Sequence, residues 1–333
     1  MQQVKVKQAL SSDSRLDYGV PQGSVLGPIL FLVYLLPLGN IVRSHGISFH
    51  QYADDTQIYL TFRPSDDVKS ATEKMESCID DIRQWMLENK LKINDEKSEL
   101  LLVGSRVQRS KLDVSSLRIG ECDISASEKV RNLGVNLDCT LNMASHVQHL
   151  CKTANFYIRN IWKVRKYMSA ETTKTVVHAF VTSRLDMCNS LLFGLPASLI
   201  NQVQRTQNNA ARLVAKVSKY SHVTPLLREL HWLPISYRIS FKILVLTYNA
   251  LNGLSPAYIR DLLTSYSPQR TLRSSSKCLL TVPPTHLKTY GDRSFSYAAP
   301  VLWNNLPSDI KCAQSISSFK SKLKTHFFLK AYS

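Results

Sequence analysis

Two adjacent carboxylates stand at the centre of the stretch His50-Gln51-Tyr52-Ala53-Asp54-Asp55-Thr56-Gln57-Ile58-Tyr59-Leu60. Apolar residues alternate with polar ones on both sides, which predicts a β-hairpin with Asp54 and Asp55 near its turn. Side chains of consecutive strand residues point to opposite faces, so the two carboxylates can converge only where the backbone turns. Like charges held together favour either a solvated hairpin tip or a bound cation. These residues alone leave both interpretations open.

A loop rich in glycine and proline precedes the pair by about thirty residues and reads Tyr18-Gly19-Val20-Pro21-Gln22-Gly23-Ser24-Val25-Leu26-Gly27-Pro28. Its glycines let backbone approach a ligand closely, and Pro28 suits the first turn of a following helix. The apolar run from Ile29 to Leu38 is too short to span a bilayer and predicts a buried helix. A second helix is predicted after Ser65, which would cap it, with Asp66 and Asp67 in its first turn.

Together, the loop and the Tyr52-Ala53-Asp54-Asp55 motif resemble the palm of a reverse transcriptase of the non-LTR (LINE-type) retrotransposon class. The resemblance implies an RNA-directed DNA polymerase that uses two-metal nucleotidyl transfer, with Asp54 and Asp55 as ligands of two Mg²⁺ ions. It also implies residues that line the incoming nucleotide and the template, namely Gln22, Gly23, Ser24 and Tyr52.

Two later segments extend the resemblance. The stretch Leu91-Lys92-Ile93-Asn94-Asp95-Glu96-Lys97-Ser98-Glu99 is similar to the palm segment whose lysine, here Lys97, lies near the nucleotide phosphates. A solvated lysine at a helix end is the alternative for Lys97. Val130-Arg131-Asn132-Leu133-Gly134-Val135 resembles the primer-grip hairpin, in which Leu133 and Gly134 form the turn that holds the primer end.

One part of the family's site has no counterpart here. The family carries a further catalytic aspartate on a palm strand before the glycine-proline loop. Only seventeen residues precede Tyr18, and neither Asp13 nor Asp17 lies in a segment that resembles that motif. Loss of one electrostatic element commonly costs 10²–10³-fold or more in rate. We therefore expect a truncated enzyme that is weak or inactive as an isolated chain.

Charge divides the sequence into two unlike parts. Residues 1–104 carry a net charge of −3, whereas residues 105–333 carry +20 out of the chain's total of +17. This excess predicts an anionic partner, with nucleic acid first. Helical spacing over residues 143–168 gathers Val147, Leu150, Cys151, Ala154, Ile158, Ile161 and Trp162 on one face. The opposite face gathers the basic residues Lys152, Arg159, Lys163 and Lys166.

That basic face has two interpretations. It is either an ordinary solvated face or a thumb helix that follows the phosphate backbone of a template–primer duplex. His146, His149 and Cys151 lie close by, but two imidazoles and a thiol do not complete a zinc site. The seven cysteines form no CxxC pair, which indicates reduced thiols.

The predicted fold class is α+β. A partial palm with its primer-grip hairpin occupies residues 1–139, a helical thumb 140–220, and a mainly helical region of unknown role 221–333. The expected partners are an RNA template with a DNA primer, dNTPs and a missing upstream polypeptide, without a membrane. With no signal peptide, we expect an intracellular protein of the nucleus or cytoplasm, not a secreted one. The alternatives are a non-catalytic nucleic-acid-binding remnant and a fragment that serves only to bind a partner.

Overall fold

The computed structural model describes residues 3, 5–13, 15, 18–19, 23–63, 68–112, 114, 116–267 and 278–333. It contains many helices and a few short strand pairs, which confirms the predicted α+β class. The chain separates into two compact units. The first comprises residues 1–130 and 138–141, and the second comprises residues 131–137 and 142–333.

All strands in the described part of the chain pair with their sequence neighbours and form four two-stranded sheets. Their bounds are β1 (Lys5–Val6), β2 (Ala9–Leu10), β3 (Ser48–Tyr52), β4 (Asp55–Tyr59), β5 (Ser116–Ile119), β6 (Cys122–Ser125), β7 (Lys129–Asn132) and β8 (Val135–Asp138).

Among its described residues, the first unit holds three α-helices and a short 3₁₀-helix. They are α1 (Gly27–Ser44), α2 (Val68–Glu88), the 3₁₀-helix Asp95–Lys97 and α3 (Arg106–Arg109). The second unit is mainly helical, with α4 (Ala144–Val164), α5 (Ala170–Val177), α6 (Ser183–Asp186), α7 (Ala197–Ala215), α8 (Thr224–Glu229), α9 (Ile235–Leu251), α10 (Ala257–Arg260), α11 (Phe295–Asn304), α12 (Ser308–Lys311) and α13 (Ile316–Tyr332).

Helix α1 begins as predicted, with Pro28 in its first turn. The prediction of a buried helix is wrong within the first unit, because only one stripe of α1 packs on α2 and β3. Apolar side chains on its remaining surface are exposed, namely Ile29, Leu30, Leu32, Val33 and Leu36. At 18 residues, α1 also exceeds the apolar run and is the one helix in the described ranges that could cross a membrane by length and composition. Core helices and signal sequences can pass that same test.

A small apolar core fixes the β3–β4 hairpin on these helices. Leu38 and Val42 of α1 meet Cys78 and Ile82 of α2, and Phe49 of β3 packs against the cluster. Helix α2 has the predicted buried side, while its predicted cap at Ser65, Asp66 and Asp67 lies outside the described residues.

The second unit begins with a bundle of α4 to α7. Helix α4 buries Val147, Leu150, Ala154, Ile158 and Ile161, as the spacing predicts. The predicted apolar residue Trp162 is instead 55% exposed, which corrects that assignment. It lies at the margin of the buried stripe, next to Ile161, so the last turn of α4 leaves most of its ring in solvent.

A buried arginine links the end of α4 to the last turn of α7. Arg165 follows α4 in the 3₁₀-helix Arg165–Tyr167 and is 8% exposed. Its guanidinium donates to the carbonyl oxygens of Leu213 at 3.1 Å, Val214 at 3.0 Å and Met168 at 2.7 Å. Two of these carbonyls belong to the last turn of α7, where helices leave acceptors without intrahelical partners. The cation also complements the negative end of the α7 dipole.

The C-terminal region has its own core around α9, α11 and α13. Phe319, Leu323 and Phe327 of α13 are buried among Leu244, Tyr248 and Trp303, among others. At the end of α13 the Tyr332 hydroxyl donates to the Trp232 carbonyl at 2.5 Å, and burial raises the pKa of Tyr332 to about 12.

Candidate functional site

The β3–β4 hairpin places the two aspartates at its turn, as predicted. Tyr52 pairs with Asp55 as the last rung of the antiparallel ladder, so Ala53 and Asp54 form the connecting turn. Ala53 has a φ of +54°, a left-handed conformation that is unusual for a residue other than glycine. Strained backbone conformations of this kind persist only where the surrounding structure imposes them, and they are found mainly at functional sites. Asp54 and Asp55 are both exposed.

The two faces of the hairpin differ in burial. Phe49 and Ile58 lie on the face that packs on the core of the first unit. The opposite face is open and carries Asp55 with Tyr52, which is 68% exposed. The hairpin is therefore anchored from one side and presents its carboxylate and aromatic side chains on the other.

The donor set at the turn suits a hard divalent cation, because Mg²⁺ prefers carboxylate oxygens. The turn itself supplies two carboxylates. Within the described ranges, no group of three or more His, Cys, Asp or Glu side chains is placed to hold a metal ion. Of the aspartates before the loop, Asp13 is exposed and Asp17 lies outside the described residues. The hairpin thus fits part of a two-metal site.

The glycine-proline loop is described only in part. Gly19 and Gly23 adopt φ values of +83° and +89°, which only glycine accommodates readily. Gly23 is exposed and Ser24 half-buried just before α1, and the Ser24 carbonyl accepts from the Gly27 amide at 3.3 Å. Gln22 lies outside the described residues.

Lys97 is the last residue of the 3₁₀-helix that begins at Asp95, and its side chain is exposed. This short helix is tied to α2 by an ion pair of 2.5 Å between Arg83 and Asp95. Its position suits both a phosphate-binding lysine and a solvated helix-end lysine.

The β7–β8 hairpin has the turn that the sequence predicts. Leu133 and Gly134 have φ values of +45° and +84°, so both turn residues are left-handed. Leu133 is exposed, whereas a Cβ on Gly134 would lie only 2.6 Å from the Cε of Met187. A side chain at position 134 would therefore meet both backbone strain and crowding.

A buried histidine holds strand β8 to α4. The Nδ1 atom of His146 accepts a hydrogen bond from the Asn136 amide at 3.3 Å. Burial, and secondarily the charge of His149, lower the pKa of His146 below its ordinary value. In the sequence His146 stood out only as one of three neighbouring metal-ligand types. No feature of a single sequence identifies its backbone partner ten residues earlier.

Protonation of His146 is expected to destabilise the second unit. Because the folded pKa is depressed, the unfolded chain binds the proton more readily, and the free energy of unfolding falls as pH drops below about 6.5. In His146→Asn, whose side-chain oxygen can replace Nδ1 as acceptor, this pH dependence should be weaker. Urea unfolding between pH 7.5 and 5 measures it, with exposed His222→Asn as control. Equal pH slopes in the wild type and His146→Asn would contradict this assignment.

The basic face of α4 is formed in part as predicted. Lys152, Arg159 and Lys163 recur at helical spacing and are exposed. Lys166 does not extend that face, because α4 ends at Val164 and Lys166 lies in the following 3₁₀-helix. There its ammonium group lies 4.8 Å from the centre of the Tyr167 ring. The prediction of one continuous helix over 143–168 is wrong at this end, since the Arg165 contacts with α7 tighten the last turn.

The chain is similar to proteins of known families. Residues 3–137 match the family described as reverse transcriptase (RNA-dependent DNA polymerase). The RNA-directed DNA polymerase from mobile element jockey of Drosophila funebris is 24% identical over 217 residues, which are 62% of this chain and 22% of that protein.

Two Drosophila melanogaster proteins give similar matches. The probable RNA-directed DNA polymerase from transposon BS is 23% identical over 245 residues, 71% of this chain and 26% of that protein. The corresponding protein of transposon X-element is 24% identical over 237 residues, 68% of this chain and 25% of that protein. The alignments thus span about a quarter of the length of these relatives. No solved structure matches the chain.

The family match covers the glycine-proline loop, the aspartate turn, the Lys97 segment and the Leu133–Gly134 turn. Residues 3–137 are therefore similar to reverse transcriptases, and the chain resembles the RNA-directed DNA polymerases of the mobile elements jockey, BS and X-element.

Proposed function

We propose that this chain is the portion of an RNA-directed DNA polymerase that carries the metal-binding turn, the primer grip and the thumb. Residues 1–139 form the partial palm, 140–220 the thumb and 221–333 an additional helical region. The observation that carries the proposal is the strained turn at Ala53, which presents two exposed carboxylates on a hairpin anchored from its other face.

The roles of the site residues follow from their chemistry. Asp54 and Asp55 would hold divalent cations, for which we propose Mg²⁺. When bound, two such ions stabilise the attacking 3′-oxygen and the leaving phosphate oxygens of nucleotidyl transfer. Lys97 would neutralise phosphates of the incoming dNTP. Gln22, Gly23, Ser24 and Tyr52 would position the dNTP and the template, while Leu133 and Gly134 would hold the primer end.

We further propose that the isolated chain is weak or inactive in polymerisation. The turn supplies two of the carboxylates that the chemistry needs, and no third converges within the described residues. The exposed apolar surface of α1 is where we expect further polypeptide of the polymerase to pack, because the alignments span only about a quarter of the length of its relatives.

A non-catalytic nucleic-acid-binding protein is the second candidate. No Asp or Glu occurs between Asp138 and Glu171, whereas the same stretch carries the exposed basic residues Lys152, Arg159, Lys163 and Lys166. Such a one-signed surface favours a polyanion whether or not the metal site works.

Binding of an RNA–DNA template–primer tests the thumb. Reversal of charge at Lys152, Arg159, Lys163 and Lys166 to Glu should weaken binding and reduce the slope of log K against log [salt] by about 3.6, at roughly 0.9 for each of four lost phosphate contacts. The measurement is fluorescence anisotropy at several salt concentrations.

A control with the same change in net charge reverses Lys320, Lys322, Lys324 and Lys330, which are exposed on α13. This control should keep the wild-type salt slope. If reversal on α4 left the slope unchanged, or if both sets reduced it equally, α4 would not be the duplex-binding surface.

A further inference from the structure

Three neighbouring aromatic side chains, which we call the aromatic step, extend from the basic face of α4 to the segment that follows α5. They are Phe156, Tyr157 and Phe180. Phe156 lies between Lys152 and Arg159 at positions i, i+4 and i+7, which share one helical face. Phe156 is 51% exposed despite its large apolar ring. The helical spacing of the sequence predicted only the basic residues of this face and assigned no role to Phe156.

Two further rings continue the step. Tyr157 contacts Phe156 edge to face, with centroids 5.5 Å apart, and stacks on Phe180 at 5.3 Å with an interplanar angle of 24°. Phe180 is itself 45% exposed. The guanidinium of Arg184 lies 4.6 Å from the centre of the Tyr157 ring and donates to its hydroxyl at 3.0 Å. The rings are therefore held in place while part of their surface remains open.

A π-helix at His178–Thr182 sets the position of Phe180. Thr173, Val177, Val181 and Leu185 are all buried at a spacing of four, which overshoots a regular helical turn by about 40° each time. The wider π turn corrects this drift and keeps the buried side facing the core, with Phe180 on the exposed side. Such single π turns occur frequently at functional sites.

We propose that Phe156 and Phe180, held in place by Tyr157 between them, form a stacking surface for unpaired bases of single-stranded nucleic acid, with Lys152, Arg159 and Arg184 contacting its phosphates. This inference rests on the proposed function, since it assigns a second form of nucleic acid to the thumb. Bases inside a duplex are already stacked, so exposed rings can serve only unpaired ones. The stretch without Asp or Glu between Asp138 and Glu171, which contains Phe156 and Tyr157, favours a polyanion over an apolar protein partner.

The test compares three probes that carry the same number of phosphates per strand. They are a fluorescent twelve-nucleotide oligouridylate, an abasic twelve-unit ribose phosphate, and a twelve-base-pair RNA–DNA hybrid. The full chain should bind the oligouridylate roughly tenfold more tightly than the abasic strand, because each stacked base adds affinity. Equal affinities for these two probes would overturn the stacking proposal without the use of any variant.

Variants locate the surface. Phe156→Ala with Phe180→Ala should lower oligouridylate affinity about tenfold or more, with the salt slope and hybrid binding unchanged. Phe156→Trp keeps an aromatic ring and should retain the affinity for the oligouridylate. Tyr220→Ala serves as the control, because it removes an exposed ring beside Lys219 outside the proposed surface. Oligouridylate affinity within twofold of wild type in the double variant would reject the surface. Loss of hybrid binding together with single-strand binding would instead implicate the proposed duplex grip.

Discussion

Primer extension by the 333-residue chain alone is expected to be at least 10²–10³-fold slower than by the intact RNA-directed DNA polymerase from mobile element jockey. The reason is electrostatic. Asp54 and Asp55 supply two carboxylates at an exposed turn, and no third converges on them within the described residues. Metal ions at such a turn would be held loosely and positioned poorly for in-line attack.

Single-turnover extension of a primed RNA template with Mg²⁺ makes this comparison. Binding of the same template–primer, measured in parallel, shows whether a low rate reflects chemistry rather than lost substrate. A rate within tenfold of the jockey polymerase would contradict the expectation, because it would require a complete metal site in this chain.

Replacement of Arg165 by methionine is expected to lower the free energy of unfolding of the second unit by about 3 kcal/mol. Methionine fills much of the volume but leaves the carbonyls of Leu213, Val214 and Met168 buried without their donor. Each hydrogen bond from a charged group contributes about 1.5–3 kcal/mol to stability. Part of the loss of three such bonds is offset, because the variant no longer buries a charged guanidinium away from water.

Amide hydrogen exchange in α4 and α7 measures the change locally. Arg165→Lys keeps a cation at the α7 terminus but cannot reproduce three fixed donors, so its loss should be intermediate. Arg159→Met, on the exposed face of α4, should stay within about 0.5 kcal/mol of wild type. Equal stabilities of Arg165→Met and Arg159→Met would show that the three carbonyl contacts contribute nothing.

Local elements of the fold followed from the sequence because their signals are short-range. The alternation around Asp54 predicted the β3–β4 hairpin, and the spacing of Val147, Leu150 and Ile158 predicted the buried face of α4.

Features that depend on distant partners could not be predicted. In the sequence, Arg165 cannot be distinguished from the other basic residues near the end of α4. Its partners, the carbonyl oxygens of Leu213 and Val214 in α7, lie 48 and 49 residues further along the chain. The exposure of α1 depends on which elements pack against it, and in the first unit α2 and β3 cover only one stripe of the helix. The left-handed Ala53 has no signal of its own, because alanine ordinarily avoids that conformation.

The aromatic step shows the same limit at the candidate site. Phe156 and Phe180 are 24 residues apart, and a single sequence does not indicate that Tyr157 joins them. The buried residues around the π turn recur every four residues. This spacing is also compatible with an ordinary amphipathic α-helix, so the sequence does not reveal the π turn that orients Phe180.

Mg²⁺-dependent nucleotide incorporation on a primed RNA template, compared between the wild-type chain and Asp54→Ala, tests the central claim most directly. That claim is a reverse transcriptase domain whose metal turn is present but incomplete in this chain. We predict that both proteins bind the template–primer and that the wild type incorporates nucleotide at least 10²-fold more slowly than the jockey polymerase. Incorporation by the wild type within tenfold of the jockey polymerase, abolished by Asp54→Ala, would contradict the claim, since it would show that this chain assembles a complete metal site.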